Sequence, residues 1–244
     1  MPDGKVIAVT GASRGIGSGL VAELADRGHT IGCLSRKGRG PEDREVPGKL
    51  INLVCDMGDE AQIVAALKAL AKQAGRIDVL INNAGLHLEG VSADVPKADF
   101  ELVLATNVTG TFLACREVYP HMIAQGGGLI INMGSFFDRL GAKRNLAYNC
   151  SKAALGALTR TLAVEWARDK IRVLNVAPGF VKTDLNADYM AQDSFQAFMR
   201  RRIPTGEASS VEEVSRLIAM LVAEDLPSLT GETIVLDGGQ SINQ

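Results

Sequence analysis

The feature that most constrains this chain is an alternation. Short runs of β-branched and other apolar residues recur at 5–10, 30–34, 50–54, 79–82, 129–133, 172–177 and 233–236. Between them lie longer stretches with helical periodicity, at 15–27, 60–73, 100–124, 148–168 and 211–223. Strands that are apolar throughout are buried on both faces, and helices between them carry the chain back to the edge where the next parallel strand starts. The pattern predicts one doubly wound α/β domain over 1–244, a parallel sheet of about seven strands with helices on both faces. No internal repeat, low-complexity segment or interdomain linker interrupts it.

Composition narrows the function classes. A chain of 244 residues with 46% hydrophobic content can bury one substantial core. The net charge is −2 and both signs are interspersed, which argues against a nucleic-acid or membrane-surface partner. The first strand-like run begins at Lys5, leaving no room for a signal peptide, and no apolar stretch approaches the roughly 18 residues of a membrane span. Cys33, Cys55, Cys115 and Cys150 are scattered without a C-x-x-C pair, as expected of reduced, mostly buried thiols in a cytoplasmic protein. His29, His87 and His121 form no ligand cluster, so no metal is expected.

The first strand runs into Thr10-Gly11-Ala12-Ser13-Arg14-Gly15-Ile16-Gly17 and then into a helix. Glycines at this junction let the backbone approach a pyrophosphate, and the helix N-terminus offers free N–H groups to it. The glycines fall at relative positions 1, 5 and 7, unlike G-x-G-x-x-G, so the dinucleotide motif of a Rossmann domain is met in context rather than in spacing. A plain tight turn is the alternative reading.

A second constellation lies between 132 and 152. Tyr148 and Lys152 are four apart and share a helix face. A phenol has an ordinary pKa of about 10, and a neighbouring ammonium lowers it. Ser135 ends the apolar run Leu129-Ile-Ile-Asn-Met, so its hydroxyl can sit at a strand's carboxyl end and bond a carbonyl oxygen that the phenol protonates. This is a carbonyl reduction site in outline, although Tyr and Lys at this spacing also occur on ordinary solvated helix faces.

Taken together, T-G-x-x-x-G-x-G at 10–17, Asn83-Ala84-Gly85, Asn107, Ser135, Y-x-x-x-K at 148–152 and Asn175-Val-Ala-Pro178-Gly179 resemble the short-chain dehydrogenase/reductase family, in order and over nearly the whole chain. Within it the chain is most similar to the 3-oxoacyl-[acyl-carrier-protein] reductase group. The resemblance implies that Tyr148 is the general acid in reduction and the base in oxidation. Lys152 lowers its pKa and holds the nicotinamide ribose, and Ser135 orients the carbonyl and stabilises its developing charge. It also implies that Asn107 holds a water linking Lys152 to solvent; without the family, Asn107 reads as a helix-interior residue bonding backbone. Hydride comes from the cofactor.

The same resemblance identifies the cofactor positions: Gly11, Ser13, Arg14, Gly15, Ile16 and Gly17 in the first loop, Ser35 and Arg36 after the second strand, and Asn83 to Gly85 after the fourth. Relatives that use NAD carry an acid at the end of the second strand to bind the ribose 2′-OH. Here Ser35-Arg36 stands there with Arg14 opposite, a pairing suited to a 2′-phosphate, so NADP(H) is expected. Asp56 is expected to accept from the adenine amino group with Met57 beside it, or else to cap the helix beginning near Asp59. After Pro178 and Gly179, Val181 is expected to meet the nicotinamide amide through its backbone and Thr183 through its hydroxyl.

Residues 184–204 form the expected substrate segment, carrying Met190, Phe195, Phe198, Met199 and the Arg200 to Arg202 run. They read equally as a mobile amphipathic lid or as a fixed helix with a core-facing side. Phe136, Phe137, Leu86 and His87 are expected to line a partly apolar pocket for a small carbonyl or alcohol, or an acyl thioester. The chain departs from carrier-protein reductases at 125–128 and at Glu207, where relatives are often basic. The leading expectation is an NADPH-dependent ketone reductase. An alcohol or sugar dehydrogenase working oxidatively is the second reading, and a non-catalytic NADP(H)-binding sensor or scaffold is the third. By family, a homotetramer is expected, with Phe112, Leu158, Leu162 and Trp166 as its apolar seam or as intramolecular core.

Overall fold

The computed structural model describes residues 4–243. Seven strands make one parallel sheet: β1 (Val6–Thr10), β2 (Thr30–Ser35), β3 (Leu50–Val54), β4 (Val79–Asn82), β5 (Gly128–Met133), β6 (Ile171–Pro178) and β9 (Thr233–Leu236), in the order β3-β2-β1-β4-β5-β6-β9. The chain starts at the centre, winds outward to β3, then returns to lay β4 against the other side of β1. That reversal opens a crevice at the carboxyl ends of β1 and β4, where such sheets bind ligands.

Period-two alternation divides the core between the faces. Ile7 and Val9 of β1 join Leu20 and Leu24 of α1 (Gly15–Asp26) and Val214 and Ile218 of α8 (Val211–Ala223) on one side. Val6 and Ala8 face the other way, toward Leu67 and Leu70 of α2 (Glu60–Ala74), Val118 of α4 (Gly110–Ala124) and Leu162 of α5 (Leu146–Trp166). Leu162 is therefore core rather than a free seam, and Leu158 and Trp166 pack against the same cluster. Phe112 remains exposed. Cys33, Cys55 and Cys115 are buried free thiols that burial pushes up to about 12, whereas Cys150 is exposed.

The expected helix over 100–124 differs in an informative way. It begins at Lys97 as α3 (Lys97–Leu104), widens into a π turn over Ala105–Thr109, and continues as α4. Such insertions gather at functional sites, and Asn107 stands in the middle of this one. The helix expected over 148–168 starts two residues earlier, at Leu146, and gives way to a 3₁₀ turn at Ala167–Asp169.

Two short strands escaped the sequence pattern. β7 (Val181–Lys182) and β8 (Ser209–Ser210) pair in parallel and clamp the two ends of the 184–204 segment. Within the clamp, α6 (Ala187–Met190) and α7 (Asp193–Arg202) bury Met190, Phe195, Met199 and Ile203 in a small cluster of their own with Phe180, Phe198 and Ala208. The apolar face of this segment points inward, as the sequence suggests, and Arg200 to Arg202 point outward.

Candidate active site

The glycine loop lies against the end of β4. Thr10 Oγ1 accepts from the backbone N–H of both Asn83 and Ala84 at 3.0 Å, while Asn83 Nδ2 donates to the Thr10 and Gly11 carbonyls at 3.0 and 3.2 Å. A Cβ on Gly11, whose φ is +66°, would meet the Ala84 backbone at 2.9 Å, and one on Gly17 would meet the Gly11 carbonyl oxygen at 2.0 Å. Only glycine permits this closeness. The N-terminus of α1 has no side-chain cap and no acid in its first turn, so its free N–H groups remain available. That combination fits an anionic pyrophosphate.

A groove of about 410 Å³ runs from this loop past Ser35, Arg36, Asp56, Met57 and Asn83 to Gly85. It gathers the residues expected at the adenosine half of a dinucleotide. The Ser35 hydroxyl is engaged locally, donating to the Arg39 carbonyl at 2.7 Å and accepting from the Arg39 N–H at 2.9 Å. Arg14 and Arg36 are exposed, and among the described residues neither has a carboxylate within 4.0 Å. Asp56 does not cap α2: Asp59 does, accepting from Gln62 N–H at 3.2 Å. Asp56 instead accepts from Gly58 N–H at 2.9 Å.

A second groove, of about 280 Å³, continues past Ile16, Gly85, Ser135, Lys152, Pro178, Gly179, Val181 and Thr183. Here the expected nicotinamide positions meet the expected catalytic ones. Ser135 follows β5 directly, and Tyr148 and Lys152 occupy the first turns of α5. Lys152 Nζ donates to the Met133 carbonyl at 2.6 Å and stands 5.4 Å from the centre of the Tyr148 ring. Its ammonium is thus tied to β5 rather than to the phenol, and burial pushes it down from 10.5 to about 8. Burial pushes the Tyr148 phenol above its ordinary value, and the Ser135 hydroxyl beside it pulls the other way. Among these effects, burial leads for the phenol, so the lowering expected from Lys152 is not the main influence upon it.

Asn107 is fully buried and bonds backbone, as its plainer reading had it: Oδ1 accepts from Leu86 N–H at 2.7 Å and Nδ2 donates to Leu86 O at 2.9 Å and to Ser151 Oγ at 3.0 Å. Beneath the site, Asn82, Asn132 and Asn175 lie in register on β4, β5 and β6. Asn82 Nδ2 donates to Asn132 Oδ1 at 2.9 Å, and Asn132 Nδ2 donates to Thr159 Oγ1 at 2.9 Å, which ties the strand ends to α5.

Beyond Tyr148 opens a cavity of about 710 Å³. Phe136, Phe137 and His87 line it as expected. Leu86, its backbone held by Asn107, borders the two cofactor grooves, the second of which also reaches His87, Ser135 and Tyr148. The sequence reading missed Phe180, Tyr189, Asn145 and Asn186, which line the cavity together with Glu89, Lys143 and Ser194. Asn186 accepts from Thr183 N–H at 2.8 Å and donates to the Val181 carbonyl at 2.9 Å, so it braces the turn that carries both. The only signal for Phe180 was its position between Gly179 and Val181.

Against this geometry, the comparisons agree on the class. A family model described as Enoyl-(Acyl carrier protein) reductase matches residues 11–241. The 2-(R)-hydroxypropyl-CoM dehydrogenase of Xanthobacter autotrophicus is 33% identical over 243 residues, covering 96% of this chain and 97% of the relative. Human 3-oxoacyl-[acyl-carrier-protein] reductase is 34% identical over 237 residues, covering 96% and 97%. A gluconate 5-dehydrogenase from Burkholderia cenocepacia, solved with NADP and tartrate, superposes with a TM-score of 0.88 at 28% identity, covering 99% of this chain and 97% of that one. The chain belongs to the short-chain dehydrogenase/reductase family, and it is an oxidoreductase of CH–OH and C=O groups that binds a nicotinamide cofactor. No helix among the described residues is long and apolar enough to cross a membrane.

Proposed function

We propose that this chain reduces a ketone to a secondary alcohol with NADPH. The observation that carries the proposal is the convergence of Ser135, Tyr148 and Lys152 where the cofactor groove opens into the 710 Å³ cavity. When bound, the reduced nicotinamide supplies hydride. The chain supplies the rest. Ser135 Oγ–H bonds the carbonyl oxygen and stabilises the charge developing on it. Tyr148 Oη–H gives that oxygen its proton, and a phenol held above its ordinary value by burial keeps the proton until the oxygen turns basic. Lys152, mostly an ammonium at neutral pH, holds positive charge beside the emptying phenol and stands at the ribose side of the groove.

Two exposed arginines, Arg14 and Arg36, free of carboxylate partners, support NADP(H) over NAD(H), because a guanidinium fork matches a 2′-phosphate. Asp56 and Met57 then flank the adenine, and Val181 and Thr183 the nicotinamide amide. A homotetramer in the cytoplasm, joined through α4 and α5, is consistent with exposed Phe112 and Val164 on those helices. Sedimentation as a monomer would overturn that part.

The test is NADPH oxidation with a panel of ketones that includes an acetoacetyl thioester, for the wild-type chain and for Tyr148→Phe. The variant keeps the ring and loses the acid, so turnover should fall about a hundredfold or more while NADPH still binds. A wild-type chain that binds NADPH yet reduces no ketone would overturn the proposal.

A further inference from the structure

We propose that the cavity selects ketones carrying a flat apolar ring next to the carbonyl, in preference to linear acyl chains; this rests on the ketone reductase reading above. Six aromatic rings make one continuous wall. Phe180 is its hub, meeting Phe136 at 5.4 Å, Phe137 at 6.2 Å, Phe195 at 5.4 Å and Phe198 at 6.1 Å between ring centres, every pair edge-on or T-shaped. Tyr189 extends the wall from Phe195, at 4.7 Å. Phe136 and Phe195 are its most buried members, at 3% and 9% exposure. Phe137, Phe180 and Phe198 are only partly buried, and Tyr189 is exposed, so these four present ring surface to the cavity.

Where the wall starts fixes where the ring of a substrate must sit. Phe137 stands edge-on to Tyr148, with ring centres 6.5 Å apart. A carbonyl oxygen on Tyr148 and Ser135 therefore brings the first atoms bonded to the carbonyl carbon against Phe137, and a ring one bond away meets the cavity-facing surfaces of Phe137 and Phe180, which are in T-shaped contact with each other. Edge-to-face aromatic pairs attract beyond their buried area, which a linear chain cannot reproduce. The polar side of the cavity carries Glu89, Lys143, Asn145, Asn186 and Ser194. His87 Nε2 and Asn145 Oδ1 are engaged with one another, and the His87 ring packs on Tyr148 at 4.6 Å between centres.

Acetophenone and 2-octanone have equal carbon counts and both carry a methyl ketone; because conjugation alters the intrinsic reactivity of the aryl ketone, ring recognition is read from the change in their kcat/KM ratio under NADPH between the wild type and the Phe variants. The expected ratio is about tenfold in favour of acetophenone, from two aromatic pairs that each contribute roughly two- to tenfold. Phe137→Leu and Phe198→Leu should each lower the ratio severalfold; the pair is used so that a variant that fails to fold, judged by its thermal transition, leaves the other to decide. Equal use of both ketones, or a preference for 2-octanone, would overturn the proposal and leave the reductase reading standing. The binding of 1-phenylethanol to the NADPH complex, followed by calorimetry, separates the reverse case. Tight binding weakened by Phe137→Leu, without turnover of any ketone, would uphold ring recognition while the reductase reading falls, and no binding together with no turnover would overturn both.

Discussion

Asn107 and Leu86 are joined by a matched pair of hydrogen bonds, the amide oxygen accepting at 2.7 Å and the amide nitrogen donating at 2.9 Å. The pair fixes the strand-end loop that carries Gly85 and His87, and it does so from inside the π turn of Ala105–Thr109. Asn107→Leu keeps the volume and leaves Leu86 N–H, Leu86 O and Ser151 Oγ short of a partner each. The expected cost is about 2 kcal/mol or more, because a buried polar group deprived of its partner costs about 1–3 kcal/mol. A denaturant melt measures it. NADPH affinity should fall with it, since Gly85 borders both cofactor grooves, and a variant as stable as the wild type would refute the bracing role.

Lys152 makes a pH prediction. Burial lowers its folded-state pKa from 10.5 to about 8. Between those values the unfolded chain holds a proton that the folded chain has released, so this group makes stability rise with pH across that window; below about 8 both states are charged and the burial penalty is fully present. Lys152→Met removes the titration. Thermal unfolding of the two proteins at pH values from about 7 to about 10 should show the wild type gaining steadily on the variant. A difference that ignores pH would mean that Lys152 does not titrate there.

Much of this was legible in the sequence because apolar continuity reports burial on both faces directly. All seven strands of the sheet lie where runs of Val, Ile and Leu put them, with ends that move by one residue at most. What escaped depends on relations that no local pattern encodes. The π turn needs only one extra residue in a helical stretch, which shifts no periodicity that a window can register. The β7–β8 pair is two residues long on each side and joins segments more than twenty residues apart. The backbone of Leu86 is placed by Asn107, twenty-one residues on, a pairing no local pattern encodes. Phe180 became the hub of the aromatic wall through contacts with residues on two separate segments, 136–137 and 195–198.

The arginines test the cofactor reading. Arg14→Ala and Arg36→Ala should each reduce the ratio of kcat/KM for NADPH over NADH by about tenfold or more, since hydrogen bonds to charged groups contribute about 1.5–3 kcal/mol each. The effect should lie mostly in KM, because the 2′-phosphate is remote from the carbonyl and binds equally in ground and transition states. A wild-type chain that prefers NADH would refute the reading before any variant is made.

Gly17 supplies the most stringent test of how the cofactor loop is built. Its hypothetical Cβ falls 2.0 Å from the Gly11 carbonyl oxygen and 2.7 Å from Asn83 Nδ2. Neither neighbour can yield cheaply. Gly11 is backbone, held by its own N–H donating to the Leu34 carbonyl at 2.8 Å, and Asn83 Nδ2 is committed to the Thr10 and Gly11 carbonyls. Gly17→Ala must therefore push the start of α1 away from the loop, at a cost of about 1–3 kcal/mol or more for forced overpacking. The displaced helix end carries the free N–H groups suited to the pyrophosphate, so the loss of NADPH affinity should exceed what the stability change alone explains. Calorimetric titration at a temperature where the variant remains folded separates the two: weakened binding by a folded variant is the expected result, and wild-type affinity would refute the close-packed loop as the cofactor's seat.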